Sequence, residues 1–144
     1  MMISTKGRYA LQVMTDLAQH SESGPVSLRD VAERQEISMK YLEAIVAMLN
    51  KEGLVESFRG KAGGYILSKK PEEYSMQEIL ELTEGTLAPV SCVDGSCPKA
   101  NGCVTIPLWQ SLDAVIGEYL KSVSLKDLID GNVGIKKGNA KEDK

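Results

Sequence analysis

A chain of 144 residues that is 42% apolar but only 5% aromatic can bury one compact core, and that core must be aliphatic, which suits helices better than a β-sandwich. No apolar run approaches the roughly 20 residues that cross a bilayer, and the opening MMISTKGRYA holds no signal-peptide stretch, so a cytoplasmic protein without a membrane partner is expected. The net charge of −3 speaks against nucleic acid only as an average: residues 1–70 hold ten Lys/Arg against eight Asp/Glu, while residues 71–144 hold seven against twelve.

In chain order, Ala10, Val13, Met14, Leu17 and Ala18 recur at helical spacing, predicting a first amphipathic helix over 6–20. Ser27 is the N-cap of a second, with Asp30 in its first turn and Leu28, Val31 and Ala32 on its buried side. A short link, Gln35-Glu36-Ile37, leads to Ser38. This residue caps a third helix running to about Asn50, with Met39, Leu42, Val46 and Leu49 inward and Gly53 as its stop. Leu54–Phe58 and Tyr65–Leu67 read as strands joined by the glycine-rich loop RGKAGG. A capping box at Ser75 and Glu78 opens a short helix that Gly85 closes. After a cysteine-bearing loop, residues 106–122 form a longer helix with Pro107 in its first turn. Its one apolar face carries Leu108, Leu112, Val115, Ile116, Tyr119 and, just beyond the helix, Val123. That face is too long for so small a front domain and predicts a homodimer. A last helix covers Ser124 to Asp130, with Asp127 in its first turn. The expected fold is mainly α with a small β-hairpin wing: a winged helix-turn-helix over 1–70, a loop with dimerisation helices over 71–130, and a disordered tail over 131–144.

The order helix, helix, helix, strand, loop, strand points to double-stranded DNA. In such folds the start of the second helix of the motif meets base edges in the major groove. With Met39 and Leu42 inward, Ser38, Lys40, Tyr41, Glu43 and Ala44 face out. Ser38 and Lys40 suit phosphate or guanine, Tyr41 a phosphate, and Glu43 a cytosine amino group. Arg59 and Lys61 on the wing are placed for the minor groove, where Gly60 lets the backbone come close. Ser4, Thr5 and Lys6 open the first helix, where free N–H groups favour a phosphate. A protein-interaction module is the competing use of the same elements.

Cys92, Cys97 and Cys103 form C-x4-C-x5-C, and the rest of the chain has no cysteine. An odd count in a reducing compartment argues against a disulfide framework and for metal or cluster binding. Structural zinc prefers a tight cysteine pair and four ligands, whereas iron-sulfur clusters accept wider spacing, which favours a cluster. No histidine or acid stands in a nucleophile motif, so an enzyme is not expected. A zinc- or thiol-based regulator and an iron-sulfur carrier or electron-transfer protein remain the alternatives.

The stretches ISTKGRYAL and ISMKYLEAIVAMLNKEGLVESFRGKAGGYIL, with the cysteine loop before LWQSL, resemble the IscR-like regulators of the Rrf-type winged-helix family from about Met1 to Asp130. The resemblance implies a homodimeric bacterial regulator that holds an iron-sulfur cluster, usually [2Fe-2S], near a long dimerisation helix and represses cluster-assembly genes. By position it puts Cys92, Cys97 and Cys103 on the cluster ligands, and Ser38, Tyr41, Glu43 and Arg59 on DNA contacts. Two departures stand out. The first cysteine gap is one residue shorter than in that branch, and Ile106 occupies the place of its fourth ligand, a histidine. Branches that use a carboxylate of the first helix would need it where this chain has Arg8. The fourth ligand is left among His20, Asp94, a residue of a second subunit and a small molecule, and three cysteines with an open site also suit [4Fe-4S].

Overall fold

The computed structural model describes residues 2–94, 98–99 and 101–134. Three helices build the front of the molecule: α1 (Thr5–His20), α2 (Leu28–Gln35) and α3 (Met39–Lys51). Each starts on a serine hydroxyl that accepts from an N–H three residues on, at Ser4, Ser27 and Ser38, which satisfies one donor the helix leaves open. Between α2 and α3 the chain turns on Glu36, a left-handed residue at φ 55° whose N–H bonds the Ala32 carbonyl. No glycine marks this stop, so it is legible only as a short link. Ala10, Val13, Met14 and Leu17 of α1 meet Val31 of α2 and Leu42, Ile45, Val46 and Leu49 of α3 in one aliphatic core.

The hairpin pairs β1 (Val55–Phe58) with β2 (Gly64–Leu67), antiparallel, with Val55 opposite Leu67 and Phe58 opposite Gly64. Val26 adds a one-residue third strand, exchanging hydrogen bonds of 2.9 and 2.8 Å with Tyr65. Gly64 has no alternative here, since a Cβ would overlap the Val26 carbonyl. These bonds fix the wing to the entrance of α2.

Behind the hairpin come a 3-10 turn at Pro71–Glu73, α4 (Met76–Glu84), a second 3-10 turn at Ser91–Asp94, α5 (Ile106–Ser122) and α6 (Leu125–Asp130). Residues on both sides of position 70 share one core, because Tyr74, Met76, Ile79, Val123 and Leu125 join the α1–α3 cluster. The excursion through α4 and α5 also closes on itself. Met76 N donates to the Val123 carbonyl at 2.9 Å, Leu125 N donates to the Tyr74 carbonyl at 3.0 Å, and Ser75 pairs with Ser124.

Two local expectations are corrected. Met39 is 43% exposed, not inward. It is the first residue of α3 and at about 100° per residue falls beside Val46 at the edge of the buried stripe, but it stands at the helix end, where the core cluster does not cover it. At α4 only half of the predicted capping box forms: Ser75 accepts from Glu78 N at 3.1 Å, while the Glu78 carboxylate turns to Lys69 Nζ at 3.4 Å. The full reciprocal box occurs instead at Ser124 and Asp127. Gly131, left-handed, ends α6. Most of the expected tail, from residue 135 on, lies outside the described residues.

Candidate nucleic-acid interface and cysteine loop

The start of α3 presents Ser38, Met39, Lys40, Tyr41, Glu43 and Ala44 to solvent. The Ser38 hydroxyl serves the helix first, accepting from Tyr41 N at 3.3 Å. Tyr41 is braced edge-on against Tyr9 of α1, with ring centroids 5.3 Å apart at 77°, an arrangement that holds an exposed ring in one orientation. Lys6, Ser38, Lys40 and Tyr41 line an open cleft of about 320 Å³ between α1 and α3. Two lysines from two helices around one cleft suit a phosphate better than any uncharged group. On the wing, Arg59, Gly60 and Lys61 are all exposed, with the tip turned by a Gly63 N to Gly60 carbonyl bond of 3.0 Å.

The first turn of α1, where a phosphate is expected, already holds an anion. The Glu84 carboxylate, at the end of α4, accepts from Ser4 N at 3.1 Å and from Ser4 Oγ at 2.7 Å. Thr83 Oγ1 adds a bond of 3.0 Å. Burial disfavours the charge, but the Ser4 and Thr83 donors outweigh it and hold Glu84 below the usual carboxylate range. A Cβ on Gly7 would run into the same carboxylate. Neighbouring Thr5 accepts from Arg8 Nη2 at 3.0 Å. The anion-seeking geometry at Ser4 was legible; that its partner lies 80 residues on in the same chain was not.

Asp16 is the buried group that sequence reasoning missed. It is 0% exposed. Arg34 donates to both its oxygens, at 2.9 and 2.8 Å, and Gln35 donates at 2.9 Å. Burial pushes its pKa up, yet the Arg34 and Gln35 bonds and the Arg34 charge more than reverse this, and the carboxyl sits below its ordinary value. The pair locks α1 to the last turn of α2, just before the Glu36 turn that aims α3. The available signal was an acid between Val13 and Leu17, on the face predicted to be inward. His20, the weak fourth-ligand candidate, belongs to this cluster: its Nδ1 lies 2.9 Å from the Asp16 carbonyl oxygen and 3.6 Å from Asp16 Oδ1.

Cys92 stands on the 3-10 turn that packs against α5, and Cys103 lies three residues before α5 begins; both are half-buried. Cys97 and the side chain of Asp94 lie outside the described residues. Cys103 Sγ and Thr105 Oγ1 are 3.1 Å apart. That hydroxyl first, then the Thr105 and Ile106 N–H groups, draw the thiol below its ordinary value, which favours the thiolate that binds soft metals. Ile106 is buried and carries no donor atom. Among the described residues no group of three His, Cys, Asp or Glu side chains is gathered to hold a metal ion. Beyond the loop, α5 leaves apolar side chains in water: Leu108 is 59%, Leu112 38% and Val115 59% exposed. Among the described residues no helix is long and apolar enough to cross a membrane.

Known proteins are similar to this chain over nearly its whole length. The sequence pattern of the Rrf2 family, described as iron-dependent transcriptional regulators, matches residues 3–131. The HTH-type transcriptional regulator IscR of Photorhabdus laumondii is 40% identical over 131 residues, 90% of this chain and 80% of its own. Among solved structures, T. potens IscR superposes with a TM-score of 0.76 at 41% identity, covering 92% of this chain and 88% of its own. CymR, the global cysteine regulator of B. subtilis, also reaches 0.76, at 36% identity over 91% and 98%.

Proposed function

The chain belongs to the Rrf2 family of transcriptional regulators, a DNA-binding protein and not an enzyme, and on that premise we propose that it is a homodimeric repressor of iron-sulfur cluster biogenesis genes that senses a cluster through Cys92, Cys97 and Cys103. The observation that carries the reading is Cys103. It lies three residues before α5, with its Sγ 3.1 Å from Thr105 Oγ1, and that helix offers the exposed Leu108, Leu112 and Val115 to a second copy. A soft thiolate set fits an iron-sulfur cluster, [2Fe-2S] by family likeness or [4Fe-4S] with one iron open, and the bound cluster would supply a redox- and iron-sensitive tie across the loop. The chain's own residues do the rest. Ser38, Lys40, Tyr41 and Glu43 enter the major groove, and Arg59, Gly60 and Lys61 meet the neighbouring backbone and minor groove. The loop reaches this surface through α4, because Glu84 at its end holds Ser4 at the start of α1. A shift of the loop therefore reorients α1 and the Tyr9 that braces Tyr41.

Protein purified without oxygen is expected to be brown, with visible absorption and bound iron and sulfide, and Cys103→Ala is expected to lose both. Colourless protein with stoichiometric zinc would overturn the cluster. Operator binding is expected to be sequence-selective and salt-dependent, and weaker in Arg59→Ala. An iron-sulfur carrier would bind no operator. A second reading, a zinc- or thiol-based regulator with the same DNA surface, is favoured by Ile106 at the expected fourth ligand and by the likeness to CymR. Unchanged operator binding after iron removal, together with sensitivity to thiol oxidation, selects it.

A further inference from the structure

The recognition surface contains one long apolar side chain that neither electrostatics nor hydrogen bonding explains. Met39 is the first residue of α3, immediately after the Ser38 cap, and 43% of it meets water. It takes no part in the core cluster that Leu42, Ile45, Val46 and Leu49 build. Its i+4 neighbour on the helix is Glu43, also exposed, so Met39 and Glu43 stand one turn apart on the same side of α3. Tyr41, by contrast, leans back on Tyr9. The side of α3 that carries Glu43 therefore presents a carboxylate and, one turn closer to the N-terminus, a flexible thioether.

On the reading that this helix start enters the major groove, we infer that Met39 is a specificity-determining residue that reads the 5-methyl group of a thymine beside the base pair read by Glu43. Only thymine offers an apolar group in that groove, and an unbranched thioether adapts its shape to it. A base edge that offers only hydrogen-bonding groups would leave the Met39 thioether without an apolar partner, so the contact selects thymine by burial and not by a hydrogen bond. Glu43 and Met39 together then read two base pairs by two different kinds of chemistry.

The test uses the full chain and a duplex recovered by selection from random DNA. Each thymine is replaced in turn by deoxyuridine, which removes the methyl and leaves base pairing unchanged, and binding is followed by fluorescence anisotropy. At one thymine per half-site the unsubstituted protein is expected to bind about fourfold more weakly after the replacement, the factor for one buried methyl. Met39→Ala is expected to bind the thymine and deoxyuridine duplexes equally, and Met39→Leu to restore the difference. Indifference of the unsubstituted protein to every replacement, or undiminished discrimination by Met39→Ala, overturns the inference. Glu43→Ala on the same duplexes separates the two levels of the reading. If it alters preference while Met39→Ala does not, the helix reads DNA without Met39. If neither variant nor the unsubstituted protein prefers the selected duplex to random DNA, both readings fail.

Discussion

Tyr74 shows how one polar atom ties three segments. Its hydroxyl donates to the Leu54 carbonyl at 2.6 Å and accepts from Ser68 N and Lys69 N at 3.0 and 3.2 Å, inside a side chain that is almost wholly buried. Tyr74→Phe keeps the ring and strands those three backbone groups, so urea unfolding is expected to show a loss of about 2 kcal/mol. Burial raises the phenol pKa above its ordinary 10.0, more than the Lys69 and Ser68 N–H groups lower it. A raised pKa in the folded state means that the contribution of the neutral hydroxyl is complete below pH 10.0 and falls away as pH rises through the folded value. The variant is expected to lack this alkaline loss. Asp16 has the opposite sign. Its pKa is lowered from 3.8, so its contribution is complete above pH 3.8 and disappears as pH falls through the folded value.

Among the elements, apolar spacing marked α1 and α5, spacing and serine caps together marked α2 and α3, and capping residues marked α4 and α6; the Ser4 cap of α1 went unread. The hairpin was legible from RGKAGG and β-branched or aromatic flanks, although each strand begins one residue away from the sequence reading. Periodicity erred at Met39, which falls at the edge of the stripe but in the first turn of the helix, where the core cluster does not reach it. It was silent on Glu36, whose left-handed conformation no glycine announces. The apolar spacing of α5 was legible, but it is not one free face: Tyr119 and Val123 pack on the core of their own chain, while Leu108, Leu112 and Val115 stay in water, and that exposed part has a sharp mutational consequence. Leu112→Asp places a carboxylate in the centre of the proposed dimer face and is expected to give monomers in analytical ultracentrifugation. Operator binding should weaken about tenfold or more, because one molecule no longer spans two half-sites.

Across the whole molecule, sequence distance hid what packing joins. The tie from Ser4 to Glu84, the lock from Asp16 to Arg34 and the core shared across position 70 are all contacts between segments that no local pattern relates. The same distance problem leaves the cysteine site half legible: spacing singles out three thiols, yet no local pattern replaces the histidine that Ile106 displaces. Gly7→Ala tests the Ser4 to Glu84 joint from the opposite side. The added methyl displaces the Glu84 carboxylate, and thermal unfolding is expected to drop by about 1–3 kcal/mol, the range for overpacking. Glu84→Gln, which keeps an acceptor for Ser4, is expected to lose less.

The pairing of Ser75 with Ser124, with its flanking bonds from Met76 to Val123 and from Leu125 to Tyr74, makes the intervening chain an insert with adjoining ends. Its α4 half is bound to the host, since Met76 and Ile79 sit in the shared core and Glu84 holds Ser4, so a movement of the cysteine loop has a path to α1. The same seam holds the two ends of the excursion together while Glu84 holds Ser4, so the excursion meets the front of the molecule both at its base and at the end of α4.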